Sequence, residues 1–207
     1  MFKRAMRQFI MFFVHIVNRV YRVKYIDTEK LPKEGPAIIA INHRNYFDVF
    51  FVMALFKKEK PIFVGRRTVN NNPLGRFAAW AFDVILVERD GSDAGPLKNM
   101  LKVIKRKQML GIFPEGTRNG LHKGRFASGT TYVALRTKAD IFPIGISGPL
   151  KPFSKGNQLK VGDKFNLYEM MDENKTTKDK DEIKRLNEIL KNKILELTND
   201  GFYDDLK

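Results

Sequence analysis

Five short, almost wholly aliphatic runs recur along the middle of the chain, at residues 37–41, 62–64, 84–87, 109–113 and 141–146. This spacing constrains the fold more than any other feature. Runs this short and this continuously apolar read as strands buried on both faces. Between them lie segments of helical periodicity, at residues 49–57, 73–81, 96–107 and 128–138. The alternation predicts an α/β fold, a mostly parallel sheet covered by helices. Residues 158–168 offer one more strand, and residues 172–181 form a charged linker. Residues 182–197 then repeat Ile183, Leu186, Leu190, Ile194 and Leu197 on one helical face, expected to dock on the body. The expected division is an N-terminal amphipathic membrane-association segment over 1–31, an α/β domain over 32–171, and a linker with a docked helix over 172–207.

A chain of 207 residues has room for one domain of ordinary size. Hydrophobic residues make up 43% and aromatics 12%, enough for a packed core and too much for a mainly disordered chain. The 38 Lys and Arg outnumber 23 Asp and Glu, leaving a net charge of +15. Such an excess implies an acidic partner: nucleic acid, an anionic membrane surface or phosphorylated small molecules. There is no cysteine, which excludes disulfides, a thiolate nucleophile and a cysteine zinc site, and suits a reducing compartment. The three histidines, His15, His43 and His122, are too few and too scattered to suggest a metal cluster.

Residues 1–24 carry Lys3, Arg4, Arg7, Arg19, Arg22 and Lys24 and no acid. The apolar run over residues 9–17 is too short to cross a bilayer, which takes roughly 20 residues, and no signal-peptide cleavage site comes after it. On a helical wheel Met6, Phe9, Phe12, Phe13, Ile16, Val17 and Val20 share one broad face. Arg4, Arg7, Gln8, His15, Asn18, Arg19 and Arg22 take the other, with Met11 as the exception. A helix of this kind is expected to lie in the interface of an anionic membrane, peripheral or monotopic, on the cytoplasmic face. The competing reading is an ordinary amphipathic helix packed on its own domain.

In open α/β sheets, ligands bind beyond the carboxyl ends of the strands. The first strand leads into Asn42-His43-Arg44-Asn45-Tyr46-Phe47-Asp48. On one continuous helix, residues five apart point about 140° away from each other. His43 and Asp48 can therefore meet only if His43 lies in the loop and Asp48 in the first helical turn. The carboxylate would then accept the proton of one imidazole nitrogen and leave the other as a base. Alternatively Asn45 caps the helix, Asp48 supplies its acidic first turn and His43 is a loop residue.

The next three strands lead into Gly65-Arg66-Arg67, Glu88-Arg89-Asp90 and Pro114-Glu115-Gly116-Thr117-Arg118. Arginine offers a planar fork of donors suited to phosphate oxygens, although any one of these arginines also reads as a surface ion pair. The chain lacks the Gly-x-Ser-x-Gly nucleophile elbow, the Gly-Lys-Ser/Thr phosphate loop and the dinucleotide glycine fingerprint. The remaining option is a histidine base that deprotonates a substrate hydroxyl for attack on an activated acyl carbon.

These residues resemble a known family. Asn42-His43 with Asp48 resembles the first motif of the glycerophospholipid acyltransferases. Residues 84–89 resemble the second, Phe113-Pro114-Glu115-Gly116-Thr117-Arg118 the third, and Ile141-Phe142-Pro143-Ile144 the fourth. The hexapeptide is the most specific, and the match runs in order over residues 36–150, most like the bacterial 1-acylglycerol-3-phosphate acyltransferase branch. The resemblance implies acyl transfer from acyl-CoA or acyl-carrier protein to the sn-2 hydroxyl of lysophosphatidic acid, giving phosphatidic acid, with no further cofactor. It implies that His43 is the general base and Asp48 its orienting partner. It assigns Glu115, Gly116, Thr117 and Arg118, with Arg89 and either Arg66 or Arg67, to the acceptor. Thr68, Asn45 and Asn119 stand where the family usually has glutamate, serine and serine. Asp83 stands where a glycine often opens the second motif, and is expected to put a negative charge near the phosphate site.

Two other classes compete. A nucleic-acid binder would use the cations, but they interleave with an apolar helix face and no nucleic-acid module is present, so no nucleic-acid partner is expected. A non-catalytic lipid-binding protein would have no use for the His43–Asp48 pair.

Overall fold

The computed structural model describes residues 2–71, 73–87, 95–123 and 125–204. Its strands are β1 (Lys24–Ile26), β2 (Ala37–Ile41), β3 (Ile62–Arg66), β4 (Ile85–Val87), β5 (Met109–Ile112), β6 (Ile141–Ser147) and β7 (Gln158–Val161). Its helices are α1 (Phe2–Tyr21), α2 (Asp48–Met53), α3 (Pro73–Ala81), α4 (Gly95–Lys105), α5 (Gly129–Thr137) and α6 (Lys180–Leu195).

The strands form one sheet in the order β1-β7-β6-β2-β5-β3-β4. β2 pairs parallel with β5 and β6, and β3 pairs parallel with β5 and β4. Five strands therefore bring their carboxyl ends to one edge. β7 runs antiparallel to β6, and β1 joins β7 as a short outer strand that no sequence pattern announced.

Every residue of β2 is buried, which explains its lack of alternation. Successive side chains still point to opposite faces. Ala37, Ile39 and Ile41 enter one core with Val14 of α1 and Phe51 of α2. Ile38 and Ala40 enter the other with Val103 of α4, Leu135 of α5 and Leu186, Leu190 and Ile194 of α6. Each fully buried aliphatic side chain contributes about 1.5–3 kcal/mol. The start of α6 is set by Asp179, whose side chain accepts the Glu182 N–H at 3.0 Å.

The N-terminal helix has one side packed on the body and an apolar side turned outward. Ile10, Val14 and Tyr21 are buried against the body, a stripe that the helical wheel did not single out. Of the wheel's apolar face, Phe9, Phe12, Phe13 and Ile16 look outward, 58%, 61%, 46% and 41% exposed, whereas Val17 and Val20 pack against the same core. Among the described residues no helix is long and apolar enough to cross a membrane.

Asp83 is also placed differently from expectation. It precedes β4, at the amino edge of the sheet, away from the ends of the strands where His43 and Glu115 lie. There it pairs with Lys3 at 2.5 Å and Arg7 at 2.7 Å, tying the start of α1 to the end of α3. Its backbone is left-handed, with φ 54°, which gives a conformational reason for a glycine at this position.

Candidate active site

β2 ends at Ile41, and the next side chain anchors the loop beyond it. Asn42 is buried; its Nδ2 donates to the Ile146 carbonyl at 2.9 Å and its Oδ1 accepts the Ile146 N–H at 2.6 Å. The loop therefore leaves the sheet from a point clamped to β6. His43 comes next, its imidazole tilted on the Phe113 ring at 4.4 Å between centroids.

Asp48 opens α2, as the pairing required. It is wholly buried, and its Oδ2 lies 2.9 Å from His43 Nδ1. The same oxygen accepts the Arg44 N–H at 2.7 Å and the Asn45 N–H at 2.8 Å. A carboxylate held by two backbone donors can only accept from the imidazole, which puts the ring proton on Nδ1. Nε2 has no protein partner among the described residues, and the His43 side chain is 21% exposed. Asn45 does not cap α2: the cap position is Phe47, and Asn45 Oδ1 instead accepts the Phe47 N–H at 3.0 Å in a turn just before the helix.

The loop after β5 locks onto His43 from the other side. Glu115 is 2% exposed; its Oε1 accepts the His43 N–H at 2.7 Å and its Oε2 the Leu121 N–H at 3.0 Å. The Asn119 N–H in turn donates to the His43 carbonyl at 2.6 Å. Burial pushes the Glu115 carboxyl up from the usual carboxylate range, and the His43 and Leu121 N–H bonds pull against it. Both oxygens of Glu115, a residue the resemblance assigns to the acceptor, take donors from the protein, and the side chain holds the frame of the loop. The loop is tight enough to need Gly120, where a Cβ would lie 2.5 Å from the Glu115 carbonyl oxygen. Gly116, at the loop tip with φ 62°, is exposed with open space around it, and Thr117 is half-buried beside it.

Arg118 lies against the loop that carries His43, its guanidinium carbon 3.3 Å from the centroid of the Tyr46 ring. Arg66, the last residue of β3, reaches the loop after β5: its Nε donates to the Gly116 carbonyl at 3.1 Å. Arg67 is exposed in the following turn, so of the two arginines the structure brings Arg66 to the loop of Glu115 and Arg118. Arg89 lies outside the described residues.

Tyr46, Asn42 and Arg44 acquire structural roles that their positions in the motif did not announce. Arg44 forms an ion pair with Asp200 and lies 3.8 Å from the Phe202 ring centroid. His122, a loop residue by sequence, stacks on Tyr203 at 5.2 Å. No local pattern links residues so far apart in the chain.

A family model described as Acyltransferase matches residues 22–147, more than half of the chain, and the chain belongs to this family. Two relatives show how it sits there. The chain is 27% identical over 142 residues to the chloroplastic 1-acyl-sn-glycerol-3-phosphate acyltransferase LPAT1 of Arabidopsis thaliana, covering 67% of this chain and 39% of that protein. It is 25% identical over 146 residues to the 1-acyl-sn-glycerol-3-phosphate acyltransferase of Bacillus subtilis, covering 70% of each. The chain thus spans about two fifths of the length of the plant relatives it matches, 39% and 43%. The crystal structure of the 1-acyl-sn-glycerophosphate acyltransferase PlsC of Thermotoga maritima matches with a TM-score of 0.58 over 89% of this chain and 79% of that one, and at 18% identity it bears on the fold alone.

Proposed function

We propose that this chain transfers a fatty acyl group from an acyl thioester, on coenzyme A or acyl-carrier protein, to the sn-2 hydroxyl of 1-acylglycerol 3-phosphate, forming phosphatidic acid. The observation that carries this reading is the 2.9 Å contact between His43 Nδ1 and Asp48 Oδ2, which leaves Nε2 as the base. Nε2 takes the proton of the acceptor hydroxyl as its oxygen bonds to the thioester carbonyl carbon. The tetrahedral intermediate then collapses, the carbon–sulfur bond breaks, and the imidazolium returns the proton to the leaving thiolate. Asp48 keeps the imidazole in the required tautomer and stabilises its charged form. Arg118 and Arg66 border the same loop, and their guanidinium groups suit the acceptor's phosphate. The names of the plant and Bacillus relatives support this acceptor.

The test is direct: purified protein, radiolabelled 1-acylglycerol 3-phosphate and each thioester donor in turn. Labelled phosphatidic acid with at least one donor is expected, and none with either would end the reading. With the active donor, Arg118→Ala is expected to raise the acceptor KM roughly tenfold or more, by loss of a charge-assisted phosphate contact. The donor KM should stay put; equal effects on both would place Arg118 elsewhere.

The same reading places the enzyme on a membrane surface, because its acceptor is a lipid. The outward Phe9, Phe12, Phe13 and Ile16 form an apolar patch of the kind that marks an interaction surface, on a helix that also carries Arg4, Arg7 and Arg19. Basic residues near an anionic leaflet add about 1 kcal/mol each. Replacing Phe12 and Phe13 together by Ser is expected to remove roughly 3 kcal/mol of interfacial burial, about a hundredfold in vesicle partitioning. The melting temperature should hold, since both rings are exposed. Unchanged co-sedimentation with anionic vesicles would rule α1 out as the membrane contact.

A further inference from the structure

After α6 the chain does not drift away from the body; residues 199–204 cross the carboxyl edge of the sheet. Asp200 Oδ2 accepts the Gly148 N–H at 2.6 Å beyond the end of β6 and pairs with Arg44, next in the chain to His43. The Arg44 guanidinium faces the Phe202 ring, which meets the Tyr203 ring edge-on at 4.8 Å. Tyr203 is fully buried with Leu121 and Leu195, its ring stacked on His122. At the bottom of this assembly its hydroxyl donates to Glu115 Oε1 at 3.3 Å.

That oxygen also takes the His43 N–H, and the other oxygen of the same carboxylate takes Leu121, which closes the loop that carries Arg118. We propose that Tyr203 is a positioning residue for acyl transfer: its hydroxyl fixes the Glu115 carboxylate, and Glu115 fixes both the His43 backbone and the Arg118 loop. Burial pushes the Tyr203 phenol well above its ordinary value, and the Glu115 charge adds to the effect, so the hydroxyl keeps its proton and acts as the donor. No lysine or arginine contacts Glu115 among the described residues; hydrogen-bond donors alone hold it, and Tyr203 is the one supplied by a side chain. A carboxylate satisfied this way loses its fixed orientation when a donor is removed. The family match ends at residue 147, so this donor comes from chain beyond the matched span. The kinetic part of the inference rests on the acyl-transfer reading; the structural coupling does not.

Tyr203→Phe in the full chain tests it, since the ring and its stacking remain and only the hydroxyl goes. Amide hydrogen exchange is followed by mass spectrometry in peptides spanning residues 42–46 and 116–121, with residues 141–147 of β6 as the internal reference. Exchange in the first two is expected to quicken roughly tenfold, the scale of one hydrogen bond to a charged acceptor, while β6 is unchanged. kcat should fall about tenfold with both KM values within about twofold, because orientation of the base is lost and substrate contacts are not. Wild-type exchange at residues 42–46 would overturn the proposal, as would uniform quickening that includes β6, the mark of a merely structural role. Local quickening in a protein that transfers no acyl group would overturn the acyl-transfer reading and leave the coupling standing.

Discussion

His43→Ala is expected to lower acyl transfer by about 10² to 10⁴-fold, the usual worth of a positioned general base, while the protein melts as the wild type does. These outcomes separate because of the contacts the residue makes. The backbone of His43 carries the structural load, through Glu115 Oε1 and the Asn119 N–H, and both bonds survive truncation of the side chain. The imidazole contributes its tilted contact with Phe113 and its bond to Asp48, and it is partly exposed. Near-full activity in His43→Ala would mean that the proton goes elsewhere, and the mechanism would fall with it.

The second large effect belongs to Glu115→Ala, and it is expected in stability as well as rate. Removing the carboxylate strands the His43 N–H, the Leu121 N–H and the Tyr203 hydroxyl. A buried donor left without a partner costs about 1–3 kcal/mol, so a total on the order of 4 kcal/mol is expected. For a chain of this size that is roughly 10 °C in melting temperature, with activity lost as the two loops part. The alternative role, contact with the acceptor, predicts a wild-type melt and a raised acceptor KM. A calorimetric scan beside a titration of the acceptor decides between them.

Much of the architecture was readable because local and global preferences agree. β2 was announced by five consecutive apolar residues, and it is the central strand of the seven, with helices on both faces. The His43–Asp48 pair was readable because strand end and helix start lie five residues apart, a spacing that works only across a loop. β1 was not readable: three residues, partly exposed, are held by pairing with distant β7. The packed side of α1 was hidden for a different reason. A wheel sorts side chains by polarity, and this helix has apolar residues on two sides, so the pattern could not tell the face that meets Phe51 from the face that meets solvent. Glu115 lay in a recognisable motif, yet its inward direction depends on Leu121, Tyr203 and His43 arriving together, which is tertiary information. The Arg44–Asp200 pair, spanning 156 residues, is beyond any local window.

The fastening of α1 has an orienting effect. Asn18 donates to the Phe50 carbonyl of α2 at 3.0 Å and meets the Tyr25 hydroxyl, while Lys3 and Arg7 hold Asp83 at the opposite end. The helix is thus pinned at both ends to a rigid body and cannot swivel on its own. Any lipid plane that takes up its phenylalanines would dictate the tilt of the strands as well and, on the proposed acyl-transfer reading, the height above the headgroups at which a single-chain glycerolipid would meet the imidazole.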